Sequence, residues 1–330
     1  MNEKIKIGVI GTGHLGSIHT KLWRTHSEIK LIGIYDQDKS KANEISKGNN
    51  CKAFDSIEQM LTVCDAVTIA TPTSTHYDVA LQSIEQKVHC LIEKPVTDNY
   101  QEAVELIKMA EKQKVLIQVG HVERFNPALA SLKKYNLQPL FIEAHRLAQF
   151  KPRATDVSVI HDLMIHDIDI MLWLIGSKVK KIDANGVEIL TDNPDIANAR
   201  ITFENGAVAN LTASRISAKP MRKMRIFQKQ AYISIDFGNQ DVEVFRILGD
   251  DDPAAANAIP ATMLGLLDEA LHNKRIVYEK PEVAQGNAIF EEQKAFIEAI
   301  NKQAPVAVSA HEAAEALRIA ELINAQVKNL

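Results

Sequence analysis

Residues 4–16, KIKIGVIGTGHLG, decide the fold. Apolar residues alternate and then run together up to Ile10, as in a buried strand, and Gly11-Thr12-Gly13-His14-Leu15-Gly16 follows at once. Glycine-rich turns are common, but one that closes a strand and opens a helix is the form that meets a pyrophosphate. Gly11 permits the tight turn, Gly13 lets backbone approach the anion, and Gly16 lets helix lie close on strand. The unsatisfied N–H groups at the helix start, around His14 and Leu15, then face negative charge.

Outward from this turn, apolar runs at 29–35, 65–70, 89–93 and 115–121 read as further strands. Helical patterns at 14–26, 38–47, 56–62, 75–86 and 99–113 separate them. Near-continuous apolar strands alternating with helices indicate a parallel sheet covered on both faces. The expectation is an α/β protein whose residues 1–122 form a doubly wound dinucleotide-binding (Rossmann) domain.

After residue 122 the texture changes. NPALASLKKY (126–135) reads as one more helix, with Asn126 as cap and Pro127 at the first position. FIEAHRLA (141–148) and an apolar helix over 159–175 follow. Alternating strands then come at 180–189, 198–216, 224–237 and 242–248, with Asn205-Gly206 marking a hairpin turn. Residues 123–285 are therefore expected to be an α+β domain built on a mostly antiparallel open sheet, serving substrate and oligomer contacts. Residues 286–330 return to helix and are expected to pack back near the first domain.

The chain has 330 residues, a net charge of −4 and 46% apolar residues, so nothing in its charge calls for nucleic acid or an anionic membrane. Cys51, Cys64 and Cys90 are far apart and form no metal or disulfide motif. The start lacks the pattern of a secretory leader, and no uncharged run reaches the roughly 18 residues of a bilayer span. The expectation is a cytoplasmic protein, assembled as a homo-oligomer, dimer or tetramer.

Ligands of open α/β sheets bind outside the carboxyl ends of the strands. There the sequence places Asp36, about twenty residues beyond Gly16, where a carboxylate accepts ribose hydroxyls and repels a 2′-phosphate. This favours NAD over NADP. Thr71, Pro72, Thr73 and His76 follow one strand, and Glu93 and Lys94, stiffened by Pro95, follow another. All are candidate cofactor contacts.

HDLMIHD (161–167) raises the remaining question, since two histidines and two aspartates stand in an otherwise apolar helix. At 3.6 residues per turn Asp162, His166 and Asp169 fall at about 0°, 40° and −20°, and share a stripe. His161 lies roughly 140° from His166, which argues against a metal site. A satisfied Asp–His pair in the core and an acid–base pair both remain open on spacing alone.

GVIGTGHLG (8–16), TPTSTH (71–76), LIEKP (91–95) and DLMIH (162–166) together resemble the glucose–fructose oxidoreductase/inositol dehydrogenase (Gfo/Idh/MocA) family, over essentially the whole chain. The resemblance implies a Lys94 beside nicotinamide and substrate hydroxyl, a cis Lys94–Pro95 peptide, and Asp162 and His166 at the family's Asp-x-Gly-x-His element. Met164 replaces the usual glycine there, and Thr73 replaces a frequent asparagine. GHVERFNPA (120–128) with VIHDLMIHDID (159–169) is similar to the UDP-N-acetylglucosamine 3-dehydrogenase branch. It implies oxidation of a nucleotide sugar at C3 with hydride transfer to nicotinamide. A free polyol or inositol-type dehydrogenase, and a non-catalytic NAD-sensing regulator of the same fold, are the alternatives. On this reading His166 takes the hydroxyl proton, since imidazole titrates near neutral pH. Asp162 orients it, and Lys94 bonds the reacting oxygen from across an interdomain crevice. A UDP-sugar also needs cations for its diphosphate: Arg124 and Arg153 foremost, then Arg146 and Lys151.

Overall fold

The computed structural model describes residues 3–151, 157–249, 259–260 and 274–328. The chain forms two compact units, one of residues up to Phe125 together with Asn287–Glu321, the other of Asn126–Gly286 with the residues from Leu322 on.

The first unit alternates β1 (Ile5–Ile10), α1 (His14–Trp23), β2 (Ile29–Tyr35), α2 (Lys39–Asn49), β3 (Lys52–Ala53), α3 (Ile57–Leu61), β4 (Ala66–Ile69), α4 (His76–Glu85), β5 (His89–Glu93), α5 (Tyr100–Gln113) and β6 (Ile117–Gly120). All strands are parallel, in the order β3-β2-β1-β4-β5-β6. β3 adds a strand that the sequence hides, because Lys52-Ala53 has no apolar run. Helices cover both sheet faces. Met60, Leu61, Ile84, Leu106 and Leu317 pack in one core, and Ile7, Val9, Trp23, Ile34 and Phe296 in another. This double burial explains the unbroken apolar strands. Register sets Ile10 beside Ile69, Ile69 beside Ile92, and Ile92 beside Val119. The loops after β1, β4, β5 and β6 thus emerge along one edge, on either side of the point where strand order reverses.

In the second unit Asn126 does cap a helix, its side chain accepting from Ala128 N, but α6 (Pro127–Ala130) is a single turn. A 3₁₀ turn over 131–134 follows in place of a continued helix. The Ser131 hydroxyl donates back to Ala128 O, and Tyr135 turns extended to reach Glu279. Then come β7 (Phe141–Leu147), α7 (Ile165–Ile175), β8 (Val179–Val187), β9 (Ile196–Phe203), β10 (Val208–Ser214), β11 (Met221–Gln228), β12 (Ala231–Asp236), β13 (Asp241–Gly249), β14 (Ile259–Pro260) and β15 (Lys274–Glu279). Their sheet has the order β14-β15-β13-β12-β11-β7-β10-β9-β8. Among the described residues of this sheet only β7 and β10 pair in parallel, because the chain between them crosses over through α7. In the β9–β10 turn Gly206 alone takes positive φ (+87°), while Asn205 accepts from Ala207 N. Phe141, Phe227, Tyr232, Phe245 and Tyr278 stand directly opposite one another on β7, β11, β12, β13 and β15 and form an aromatic row. Helices α8 (Ala288–Ile300) and α9 (Ala310–Lys328) complete the chain. Among the described residues no helix is long and apolar enough to cross a membrane.

Candidate active site

Gly11 holds φ +88°, and a Cβ there would lie 2.6 Å from Ala70 O. At Gly16 a Cβ would lie 1.9 Å from Gly11 O, closer than any side chain tolerates. Around Gly13 nothing stands within 4 Å of that position, so the backbone faces open space. Side chains cap α2, α3, α5 and α8 through Asp38, Ser56, Asn99 and Asn287. The N-cap of α1, Gly13, supplies no such bond, and the first turn carries no acid. His14 and Leu15 are exposed there. The start of α1 is thus free to take an anion.

Asp36 sits at the end of β2. Its Oδ2 accepts from Thr12 N (2.6 Å) and Thr12 Oγ1 (2.8 Å), and its Oδ1 from Asp38 N (2.9 Å). Burial opposes its charge, but these donors outweigh it and hold the carboxyl below the usual range. Capping of α2 belongs to Asp38, so Asp36 has no helix to cap.

Thr71, Pro72 and Thr73 lie on the same edge, as do Glu93 and Lys94, and the Lys94–Pro95 peptide is cis. His76 opens α4 behind these loops. It is 1% exposed, with Nδ1 2.9 Å from Pro95 O and Nε2 3.0 Å from Thr71 O. Burial lowers its pKa against the pull of these carbonyls. It stands between the loops after β4 and β5, and the neutral ring donates to one of the two carbonyls.

Beneath Glu93 lies a polar group that the sequence did not disclose. Gln293 Nε2 donates to His19 O (3.2 Å) and lies 3.0 Å from His19 Nδ1. A carbonyl can only accept, so this end of the amide is the donor, and Nδ1 accepts. His19 Nε2 then carries the hydrogen and gives it to Glu93 Oε1 at 2.9 Å. Glu292, on the same helix, is fully buried, and burial together with the charge of Glu93 raises its pKa well above normal. The signals were His19 on the buried face of α1 and Glu292-Gln293 on that of α8.

A raised carboxyl pKa has a definite sign. Its contribution to stability is complete below the unfolded pKa and is lost as pH rises through the folded one. Glu292→Gln should match wild type in acid and melt a few degrees higher in alkaline buffer, with the gap opening as pH rises. Parallel melting curves across the whole pH range would refute it.

In the second unit the regular helix expected from 159 is corrected. Ile165 N bonds to Ile160 O, so residues Ile160–Met164 form a π turn before α7. Such widened turns often occur at functional sites. Asp162 N donates to Ser158 O (3.1 Å), and His161 Nδ1 lies 3.0 Å from Ser158 Oγ. Asp162 and His166 are half-buried, whereas Asp169 is buried. Asp167 is also buried and takes two bonds from Arg146, Nε to Oδ2 and Nη2 to Oδ1, each 2.9 Å.

That pairing holds Arg146 in the interior of the second unit. Arg124 is similarly engaged: its side chain is 5% exposed, and Nη1 lies 2.7 Å from Glu312 Oε1. Glu312 is half-buried; burial opposes its charge, but Arg124 and the Ser309 donors outweigh it and hold its carboxyl below the usual range. Arg124 thus reaches the structure already paired with a carboxylate of the same unit. Lys151 is exposed, and Arg153 lies outside the described residues. Among the described residues no group of three or more His, Cys, Asp or Glu is arranged to hold a metal ion. Cys64 and Cys90 are free thiols pushed up to about 12 by burial, hence poor nucleophiles.

Residues 5–121 match the model of the oxidoreductase family with an NAD-binding Rossmann fold, and residues 131–234 match the GFO/IDH/MocA C-terminal domain. A UDP-N-acetylglucosamine 3-dehydrogenase of Acidithiobacillus ferrooxidans is 39% identical over 92% of this chain and 90% of its own. A crystal form of an enzyme of that name and organism superposes with a TM-score of 0.87, covering 99% of each chain at 36% identity. The scyllo-inositol 2-dehydrogenase (NAD(+)) of Bacillus subtilis is 29% identical over 66% of this chain and 69% of its own. The chain belongs to the Gfo/Idh/MocA family of oxidoreductases, with a nicotinamide-dinucleotide-binding Rossmann domain.

Proposed function

We propose that the protein oxidises a secondary hydroxyl of a nucleotide sugar, UDP-N-acetylglucosamine at C3, with NAD as hydride acceptor. The observation that carries this reading is the 39% identity over 92% of the chain, a span that must include both units. The more distant inositol dehydrogenase matches a smaller part.

The first unit suits the dinucleotide. Open backbone at Gly13 and the free start of α1 would receive the pyrophosphate, and the ionised Asp36 would receive ribose hydroxyls and repel a 2′-phosphate. That repulsion is the reason to prefer NAD over NADP. When bound, the nicotinamide supplies the acceptor for the hydride leaving the sugar carbon. Everything else falls to side chains. The imidazole of His166 takes the hydroxyl proton, and the Asp162 carboxylate favours the imidazolium that results. The Lys94 ammonium donates to the reacting oxygen and lowers the pKa of its hydroxyl. One proton and one hydride leave, and a ketone remains. Lys151, and Arg153 in the segment outside the described residues, are the cations proposed for the diphosphate.

The aromatic row of the second unit supports self-association. Successive ring centroids lie 5.7, 5.0, 5.6 and 5.2 Å apart, and Phe227 is 39% exposed. Beside the row opens an apolar hollow of about 440 Å³. A strip of aromatic rings crossing five strands can pair with its own copy about a two-fold axis, so a homo-oligomer, dimer or tetramer, is proposed. A monomer by sedimentation velocity at micromolar concentration would count against it.

The functional reading is tested by following NADH formation with UDP-N-acetylglucosamine, free N-acetylglucosamine and myo-inositol, each with NAD⁺ and NADP⁺. Turnover should need the UDP group and favour NAD⁺. Preferred oxidation of myo-inositol would replace the reading with that of a polyol dehydrogenase.

A further inference from the structure

One buried charge pair in the second unit lies outside the residues assigned above. Asp195 is fully buried, between β8 and β9. Its Oδ2 accepts three consecutive backbone N–H groups, Ile189 (2.8 Å), Leu190 (2.6 Å) and Thr191 (3.0 Å), and its Oδ1 accepts Thr191 Oγ1 (2.9 Å). This nest fixes the carboxylate in place. Arg215 Nε lies 3.8 Å from Oδ1, and the arginine side chain is 6% exposed.

Arg215 reaches onward. Its Nη2 donates to Val157 O at 2.6 Å, and its own N–H donates to Asp195 O at 2.9 Å. Val159 N donates to Pro194 O at 3.0 Å. Both neighbours of Ser158 are therefore tied to the Asp195–Arg215 pair and the residue before it. Ser158 in turn receives Asp162 N on its carbonyl and holds His161 through its hydroxyl. The entry to the π turn is thus anchored by a buried ion pair, where apolar packing would fix depth but not rotation.

We propose that Asp195 and Arg215 are positioning residues for the oxidation, setting the rotation of the π turn and so the presentation of Asp162 and His166. The inference rests on the assignment of Asp162 and His166 under the proposed function. Neither residue touches the reacting atoms; they act through Val157, Ser158 and Val159. A reacting group displaced by an ångström, or a catalytic ligand deprived of its outer support, typically loses roughly tenfold to a hundredfold in rate.

The test compares full-length wild type with Arg215→Lys, Asp195→Asn and His166→Ala, using NAD⁺ and UDP-N-acetylglucosamine. Lysine keeps the charge near Asp195 but lacks the fork that also reaches Val157 O. Arg215→Lys should lower kcat by roughly tenfold to a hundredfold and shift the acid limb of the kcat/KM pH profile. NADH affinity, measured by fluorescence titration, should be unchanged. If Asp195→Asn fails to fold, Arg215→Lys alone decides. An Arg215→Lys enzyme with a lower melting temperature but wild-type kcat per folded molecule and an unshifted profile overturns the proposal. Should His166→Ala itself turn over normally, the catalytic assignment fails. Should His166→Ala be inactive while Arg215→Lys matches wild type, only the positioning role fails.

Discussion

His166→Ala should lose turnover by roughly 10²–10⁴-fold while binding NADH as wild type does. The separation follows from where the residues lie. His166 stands on α7 in the second unit, whereas the glycine turn, Asp36 and the uncapped start of α1 belong to the first. Removing an imidazole from one unit leaves the dinucleotide elements of the other intact. Asp162→Asn should show the same pattern to a smaller degree, because the amide keeps the shape but no longer favours the imidazolium. Stopped-flow oxidation with fluorescence titration of NADH measures both quantities. Wild-type turnover in His166→Ala would remove the imidazole from the reaction.

Gly16→Ala should abolish NADH binding and unsettle the first unit. Its new Cβ would lie 1.9 Å from the carbonyl oxygen of Gly11, a backbone atom that no rotamer change can move aside. Overpacking typically costs about 1–3 kcal/mol, and a clash with backbone belongs at or beyond the upper end. The only relief is to push α1 off the turn, which displaces the N–H groups proposed to receive the pyrophosphate. Gly13→Ala is the informative control. With nothing within 4 Å its methyl costs no packing, so the variant should melt like wild type. The methyl would stand in the space meant for the anion, however, and NADH should bind more weakly. Equal melting temperatures and equal affinities for all three proteins would contradict the account of the turn.

The parallel sheet was legible because its strands are buried on both faces and so written in continuous apolar residues. Lys52-Ala53 escaped because a two-residue strand carries no period. The placement of the candidate residues was legible where it depends on local order: glycines at a strand end, a carboxylate closing the next strand, Lys94-Pro95 at another. It was illegible where the deciding partner is remote in sequence. Nothing local in GHVERFNPA shows that Arg124 meets Glu312, or that Arg146 is held by Asp167. Nor does anything local show that the His76 ring stands between the Pro95 and Thr71 carbonyls. The π turn before α7 was hidden for another reason. A widened turn has the same residue types as a regular one, and its i→i+5 bond appears only in the backbone.

The proposed oxidation removes hydride from C3 of a nucleotide sugar. UDP-N-acetylglucosamine deuterated at C3, incubated with the protein and NAD⁺, tests it most directly. The NADH formed should carry the deuterium, seen by mass spectrometry, with a slowed rate when hydride transfer limits turnover. Undeuterated NADH from the same substrate would show that another carbon is oxidised, and the absence of NADH would show that this sugar is not the substrate.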